Sequence, residues 1–285
     1  MLGFIDAYEN YLTKIKKASA NTVASYMRDI RSFSAWLREQ ENVEVEDATQ
    51  LNIRTYVENL QAIGKSDATI SRAVAGLRNF YGYLISSGFL EESPLEEIKV
   101  AAGEKKDPQI LTRDQIRQLL AQPATTDAKG IRDKAMLETL CCTGLRVTEL
   151  LNLNVEDINL NRGVLLSNHA KKVREIPLST SAIQALRTYL AKIRGDMLLE
   201  KGEKALFVNV GGIRMSRQGF WKLLKRYQQD AGIPGELTPH TLRHSFAVHR
   251  LEEGDDLRSL QELMGHSGRS STQVYSHMVK GLHQN

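Results

Sequence analysis

The chain has 285 residues, 41% of them hydrophobic and 25% charged, with 38 Lys and Arg against 34 Asp and Glu for a net charge of +4. That length predicts two domains, each able to bury its own core. No run approaches the roughly 18 to 20 apolar residues of a membrane span, and Met1 to Tyr11 lacks a basic start followed by an apolar core, so the reading is a soluble, cytoplasmic protein.

In chain order, the first segment reads as helices. Phe4, Ile5, Tyr8 and Leu12 recur at helical spacing, and Asn21-Thr22 offers a cap before Val23, Tyr26, Ile30, Phe33 and Leu37. A third helix is expected over about Thr49 to Ala62. A fourth starts near Ser66-Asp67 and runs through Ile70, Val74, Leu77, Phe80 and Leu84, with Gly88 closing it and Pro94 barring continuation. Residues 1–100 therefore form a small four-helix bundle. Its exposed cations Lys14, Lys16, Lys17, Arg28, Arg72 and Arg78 could hold phosphates, although each taken singly is an ordinary solvated position.

Residues 101–108, AAGEKKDP, lack apolar periodicity and end in proline, which makes them a linker. Beyond it, Thr112 and Gln115 form a capping box for a helix through Ile116, Leu119 and Leu120. Asp133 to Leu140 is apolar and helical, and the only cysteines, Cys141 and Cys142, follow directly in the same apolar run. Adjacent thiols in an apolar run argue for a reducing compartment and against a disulfide framework or a zinc site. Gly144-Leu145-Arg146 breaks the helix before Glu149-Leu150-Leu151 resumes it. Gly163 to Ser167 and Arg174 to Leu178 read as a β-hairpin around a polar turn, Asn168 to Val173. Helices return over Ser179 to Arg194 and Ser216 to Ala231. The fold class is mainly α with a small β-hairpin. Residues 1–103 carry 11 Lys and Arg against 14 Asp and Glu, net −3, and the remainder 27 against 20, net +7, a balance compatible with a polyanion partner for the second part.

The last quarter, Thr238 to Tyr275, sets His240, Arg243, His266 and Tyr275 on helical segments and the turn between them. Arginine offers a rigid fork of donors to a phosphate, and histidine can donate or shuttle a proton. A helical His/Arg pair alone is usually surface, and a late tyrosine usually packing. Arg146, which follows the permissive Gly144, changes the weighting when read with them.

TGLRVTELLNL, then the hairpin with its lysines, then HTLRHSFA, LMGHS and VYSH, in that order and spacing, resembles the tyrosine recombinase (phage integrase) family, most closely its Xer-type members. The resemblance covers nearly the whole chain. SANTVASYMRDIRSFSAWL and ATISRAVAGLRNFYGYL stand where that family has its helical core-binding (SAM-like) domain, and residues 109–285 correspond to its catalytic domain, of the type shared with type IB topoisomerases. It implies that Arg146 and Arg243 are the arginine pair, His240 and His266 the two histidine positions, and Tyr275 the nucleophile. It also implies a double-stranded DNA recombination site as partner and no cofactor or metal. By the same resemblance the protein is a monomer when free and a tetramer on synapsed DNA, exchanging strands through a Holliday junction. DNA contacts are expected from Lys14, Asn21, Thr22, Arg28, Arg72 and Arg78 in the first domain. In the second they are expected from Lys172, Arg174, Arg217, Lys222 and Lys225.

The chemistry of those residues agrees. A phosphodiester repels nucleophiles, so cations clamped on its nonbridging oxygens lower the barrier. Tyrosine, with a pKa near 10, needs a base or a strongly cationic pocket to attack at neutral pH. His240 is read as that base and His266 as a hydrogen-bond donor to the phosphate.

Two features depart from the family pattern. The usual Gly-Lys-Gly before the hairpin turn is Asn168-His169-Ala170, so the general acid is Lys171, with His169 as its rival. Only ten residues, Ser276 to Asn285, follow Tyr275, and Met278, Val279 and Leu282 give them a short apolar stripe suited to packing in trans or in cis. A nicking and closing enzyme of the topoisomerase type and a non-catalytic DNA-binding relative are the alternative readings. Chromosome-dimer resolution and mobile-element integration, and the need for a partner recombinase or activator, stay open.

Overall fold

A computed structural model of the chain describes residues 3–98, 108–169, 172–265 and 275. The chain divides into two compact units, Met1–Lys106 and Asp107–Asn285.

The first unit is built from α1 (Phe4–Asn10), α2 (Ala20–Trp36), α3 (Gln50–Ala62) and α4 (Asp67–Ser86). Its starts are set by hydroxyl caps. Ser19, Thr49 and Ser66 each accept from the backbone N–H three residues on, which satisfies one of the orphan donors of the first turn. The α2 cap is thus Ser19 and not the expected Asn21-Thr22, because Thr22 supplies the N–H that Ser19 accepts. α1 and α2 each widen into a π turn, over Tyr11–Ile15 and Leu37–Glu41. The apolar stripes meet in a core of Tyr8, Ile30, Phe33, Leu37, Ile53, Leu77, Phe80, Tyr81 and Leu84, all essentially solvent-free. The Tyr81 hydroxyl donates to the Val45 carbonyl at 2.5 Å, so its polar tip is satisfied inside that core.

The second unit surrounds one helix. After α5 (Arg113–Ala121), capped by the Thr112/Gln115 box, α6 (Ala128–Thr143) starts on Asp127 and is buried on nearly every side. The expected start at Asp133 is too late by a turn and a half, since Asp127 caps a polar first turn that apolar spacing does not reveal. α5, α7 (Val147–Asn152), α8 (Thr180–Thr188) and α11 (Pro239–Glu252) pack on it. α8 continues as a π turn over Tyr189–Ile193 into the short α9 (Arg194–Met197). α10 (Arg217–Asp230) and α12 (Leu257–Met264) are the further helices among the described residues. Beside them lies an antiparallel sheet of β1 (Ile158–Asn159), β2 (Val164–His169) and β3 (Lys172–Pro177), in that order.

The hairpin register runs from Val164↔Pro177 to His169↔Lys172. Asn168, His169, Lys172 and Val173, expected in the turn, are therefore paired strand residues; ladder hydrogen bonding extends further than the polar composition suggests. No helix among the described residues is long and apolar enough to cross a membrane.

One buried charge cluster helps hold the second unit together. Asp133 accepts from Arg132 at 2.6 and 2.8 Å through one oxygen, and from Tyr227 Oη at 2.9 Å and Arg226 at 3.2 Å through the other. Asp133→Ala would leave the buried Arg132 guanidinium without its counter-charge, a loss of about 3–5 kcal/mol. Urea unfolding should read that loss as a lower midpoint, and a change below about 1 kcal/mol would contradict this account.

Candidate active site

The site forms where α6 ends, α7 begins and α11 crosses them. Gly144 closes α6 in the left-handed region at φ 59°, and a Cβ there would run into the Phe246 ring. This tight exit delivers Arg146 to the N-terminal edge of α7. Glu149, one turn on, reaches back to the Arg146 N–H at 2.7 Å, closing the second half of a capping box.

Glu149 is buried and is the anionic centre of the cluster. Its carboxylate meets Arg174 at 3.1 Å, Arg146 at 3.5 Å and Arg243 at 3.9 Å. Burial alone would raise its pKa. The Arg146 amide and the Arg174 and Arg146 guanidiniums overcome that and hold it below the ordinary carboxylate value. One negative charge thus fixes three positive ones that would otherwise repel each other.

Arg243, on α11, is 4% exposed. It donates to the Gly144 carbonyl at the end of α6 and to the Met264 carbonyl at the end of α12, the latter at 2.8 Å. Helix C-termini present unsatisfied carbonyls and partial negative charge, so one guanidinium there ties two helix ends together. Burial, and then Arg146, lower its pKa to about 10, which leaves it cationic at neutral pH. Arg174, from β3, donates to the Leu263 carbonyl near the end of α12 at 2.9 Å. Gly265, left-handed at φ 64°, ends α12 where a Cβ would strike that guanidinium.

Tyr275 is 3% exposed and packs with Phe246, Val248, Leu260 and Met264. Its hydroxyl lies 3.0 Å from His244 Nδ1, with ring centroids 5.4 Å apart. Burial raises the phenol pKa, while Arg243 and Arg146 pull it down, so both guanidiniums bear on this hydroxyl. At neutral pH the phenol keeps its proton. His240, exposed near the start of α11, has its pKa lowered first by its partial burial and then by Arg243, Arg217 and Arg146.

Among the described residues, the imidazole at the tyrosine hydroxyl is that of His244, where the sequence reading points to His240. The signal was present: His244 is four residues after His240 and so shares its helix face. The ring centroids of the two are 6.4 Å apart.

Other expected site residues divide by environment. Arg174, assigned to DNA, is mostly buried and engaged with Glu149 and Leu263, because β3 turns it inward onto the end of α12. Arg72, read as an exposed cation, is half-buried and pairs with the buried Asp29 and with Ser25 at 2.9 Å. Arg78 donates to the Ile98 carbonyl at 2.9 Å. Thr22 is half-buried against Ser19. Lys14, Asn21 and Arg28 in the first unit are exposed, as are Arg217 and Lys222 on α10. Lys225 is half-buried, bonds Gln228 at 3.3 Å and lies 5.4 Å over the Trp221 ring. His266, Lys171, the stripe of Met278, Val279 and Leu282, and the side chains of His169 and Lys172 lie outside the described residues.

Residues 109–281 match the model of the phage integrase family, and residues 5–88 match that of the phage integrase N-terminal SAM-like domain. A tyrosine recombinase XerD of Staphylococcus epidermidis is 38% identical over 277 residues, covering 97% of this chain and 94% of the relative. A tyrosine recombinase XerC of Roseiflexus castenholzii is also 38% identical, over 96% of this chain and 88% of its own. Among solved structures, the XerA recombinase aligns over 96% of this chain and 92% of its own, at 26% identity and a TM-score of 0.55. A lambda integrase dimer bound to a core site aligns over 95% and 93%, at 20% identity and a TM-score of 0.75, a likeness of fold.

Proposed function

The chain belongs to the phage integrase family, and from that premise we propose that it is a site-specific tyrosine recombinase in which Tyr275 cuts and rejoins duplex DNA. The observation that carries this reading is the buried Tyr275 hydroxyl, set in the field of Arg243 and Arg146 and hydrogen-bonded to an imidazole. Arg146 and Arg243 bind the nonbridging oxygens of the scissile phosphate and offset the charge that grows on them in the transition state. Glu149 and Arg174 keep that pair oriented when no phosphate is present.

In the cleavage step the Tyr275 oxygen bonds to phosphorus as the bond to the 5′ oxygen breaks. The product is a 3′-phosphotyrosine and a free 5′-hydroxyl. Because the ester conserves the energy of the broken bond, a 5′-hydroxyl from another duplex can attack it and restore continuous DNA without a nucleotide cofactor. Repeating this on the second strand pair passes through a Holliday junction. Four chains on two sites supply one nucleophile per strand.

The protein's DNA site can be recovered by selection from random duplexes. Two copies of that site on one molecule should then be recombined by the purified chain, alone or with a partner recombinase. Relaxation of supercoils with no recombinant product would favour the nicking and closing reading instead. Binding to the site should weaken steeply with salt, by about 10³- to 10⁵-fold between 50 and 200 mM if some six to ten phosphates are contacted. A nearly flat response in a filter-binding titration would contradict a backbone-dominated interface.

A further inference from the structure

Tyr275 must lose a proton to attack, and burial pushes its pKa up, so the acceptor has to touch the hydroxyl. His240, exposed and one helical turn earlier on α11, is the base expected from the sequence. The structure instead sets Nδ1 of the half-buried His244 at 3.0 Å from the phenolic oxygen, a distance suited to direct transfer. Resting on the recombinase reading above, we propose that His244 takes the Tyr275 proton at Nδ1 during strand cleavage and returns it during rejoining.

The step balances within the groups present. In the tautomer with its hydrogen on Nε2, the neutral imidazole accepts the phenolic proton at the Nδ1 lone pair. The phenolate pair forms the bond to phosphorus, and the departing 5′ oxygen takes a proton from the general acid of the hairpin side. Rejoining reverses each transfer. The incoming 5′-hydroxyl returns its proton to that acid, the phosphotyrosine ester breaks, and the phenolate recovers its proton from Nδ1.

His244 is suited to the role in its resting state. Burial, followed by His240 and Arg243, lowers its pKa, so at neutral pH it is the acceptor form. The imidazolium formed after transfer would face Arg243 and His240. A bound phosphodiester brings the negative charge that compensates both, which couples proton acceptance to the arrival of DNA. His244 also sits beside Arg243 in the chain, so one turn of α11 places the proton acceptor and a phosphate-binding cation together.

The test separates attack by tyrosine from recognition of phosphate. Cleavage is followed in single turnover on a duplex carrying the selected site and a nick that traps the covalent adduct. Rejoining is followed on a strand whose 3′ end is a p-nitrophenyl phosphodiester, where the 5′-hydroxyl displaces p-nitrophenol and the tyrosine takes no part. His244→Ala and the size-conserving His244→Gln should slow cleavage by about 10²- to 10⁴-fold, the range of a lost general base, and slow rejoining of the activated strand far less. The melting temperature of each variant reports folding, and the Gln variant keeps the test open if Ala does not fold. Equal loss in both reactions would make His244 part of the phosphate pocket and overturn the proposal, as would unimpaired cleavage. A wild-type chain active in neither reaction would instead overturn the recombinase reading.

Discussion

Tyr275→Phe is expected to leave no covalent protein–DNA adduct on a nicked trapping duplex, while binding of that duplex stays within a few-fold of the wild type. The substitution removes one oxygen from a residue that is 3% exposed and packed among Phe246, Val248, Leu260 and Met264. The ring volume is kept, so no cavity opens and the apolar contacts survive. Loss of the hydrogen bond to His244 costs on the order of 1 kcal/mol of stability. Chemistry, by contrast, loses the atom that bonds to phosphorus, and no fraction of the nucleophilic pathway remains. Denaturing gel electrophoresis after incubation with the nicked duplex is the measurement. An adduct of wild-type yield in the Phe variant would show that another residue attacks.

Much of this was legible in the chain because it depends on local chemistry. Ser66 and Thr112 announce their helices by capping, a short-range effect that survives any tertiary context. Gly144 and Arg146 could be read as a break with a cation because a left-handed helix end needs glycine. The two-residue strand β1 has no periodicity to display and went unread. The hairpin's polar residues were assigned to its turn, since alternation alone cannot say where a ladder stops. Charged side chains carry the least local signal. Arg72, Arg78, Arg174 and Arg28 look alike as letters, yet the first three bond Asp29, the Ile98 carbonyl and Glu149, whereas Arg28 is exposed. Their partners are 20 to 43 residues distant in sequence for the first two and 25 for the third, beyond any local pattern. His244 escaped notice for the same reason, as its partner Tyr275 comes 31 residues later.

The arginine that ties the site together carries the second large effect. Arg243→Ala should lower the single-turnover cleavage rate by at least about 10²- to 10³-fold, the usual cost of losing one preorganised donor to a developing oxyanion. The loss should exceed that of an exposed cation such as Lys222, because Arg243 is buried and its charge is little screened by solvent. It also links the last carbonyls of α6 and α12 and approaches Glu149 to 3.9 Å. Truncation therefore orphans two carbonyls as well as removing a phosphate ligand. Arg243→Lys separates these parts. Lysine restores one positive charge, but its single ammonium cannot reproduce a planar fork that donates to Gly144 and Met264 at once. The Lys variant should regain part of the DNA affinity and little of the cleavage rate, with both variants still melting cooperatively. Full recovery of cleavage by lysine would mean that charge alone matters at this position and that the two-ended grip of the guanidinium on the helix termini contributes nothing to catalysis.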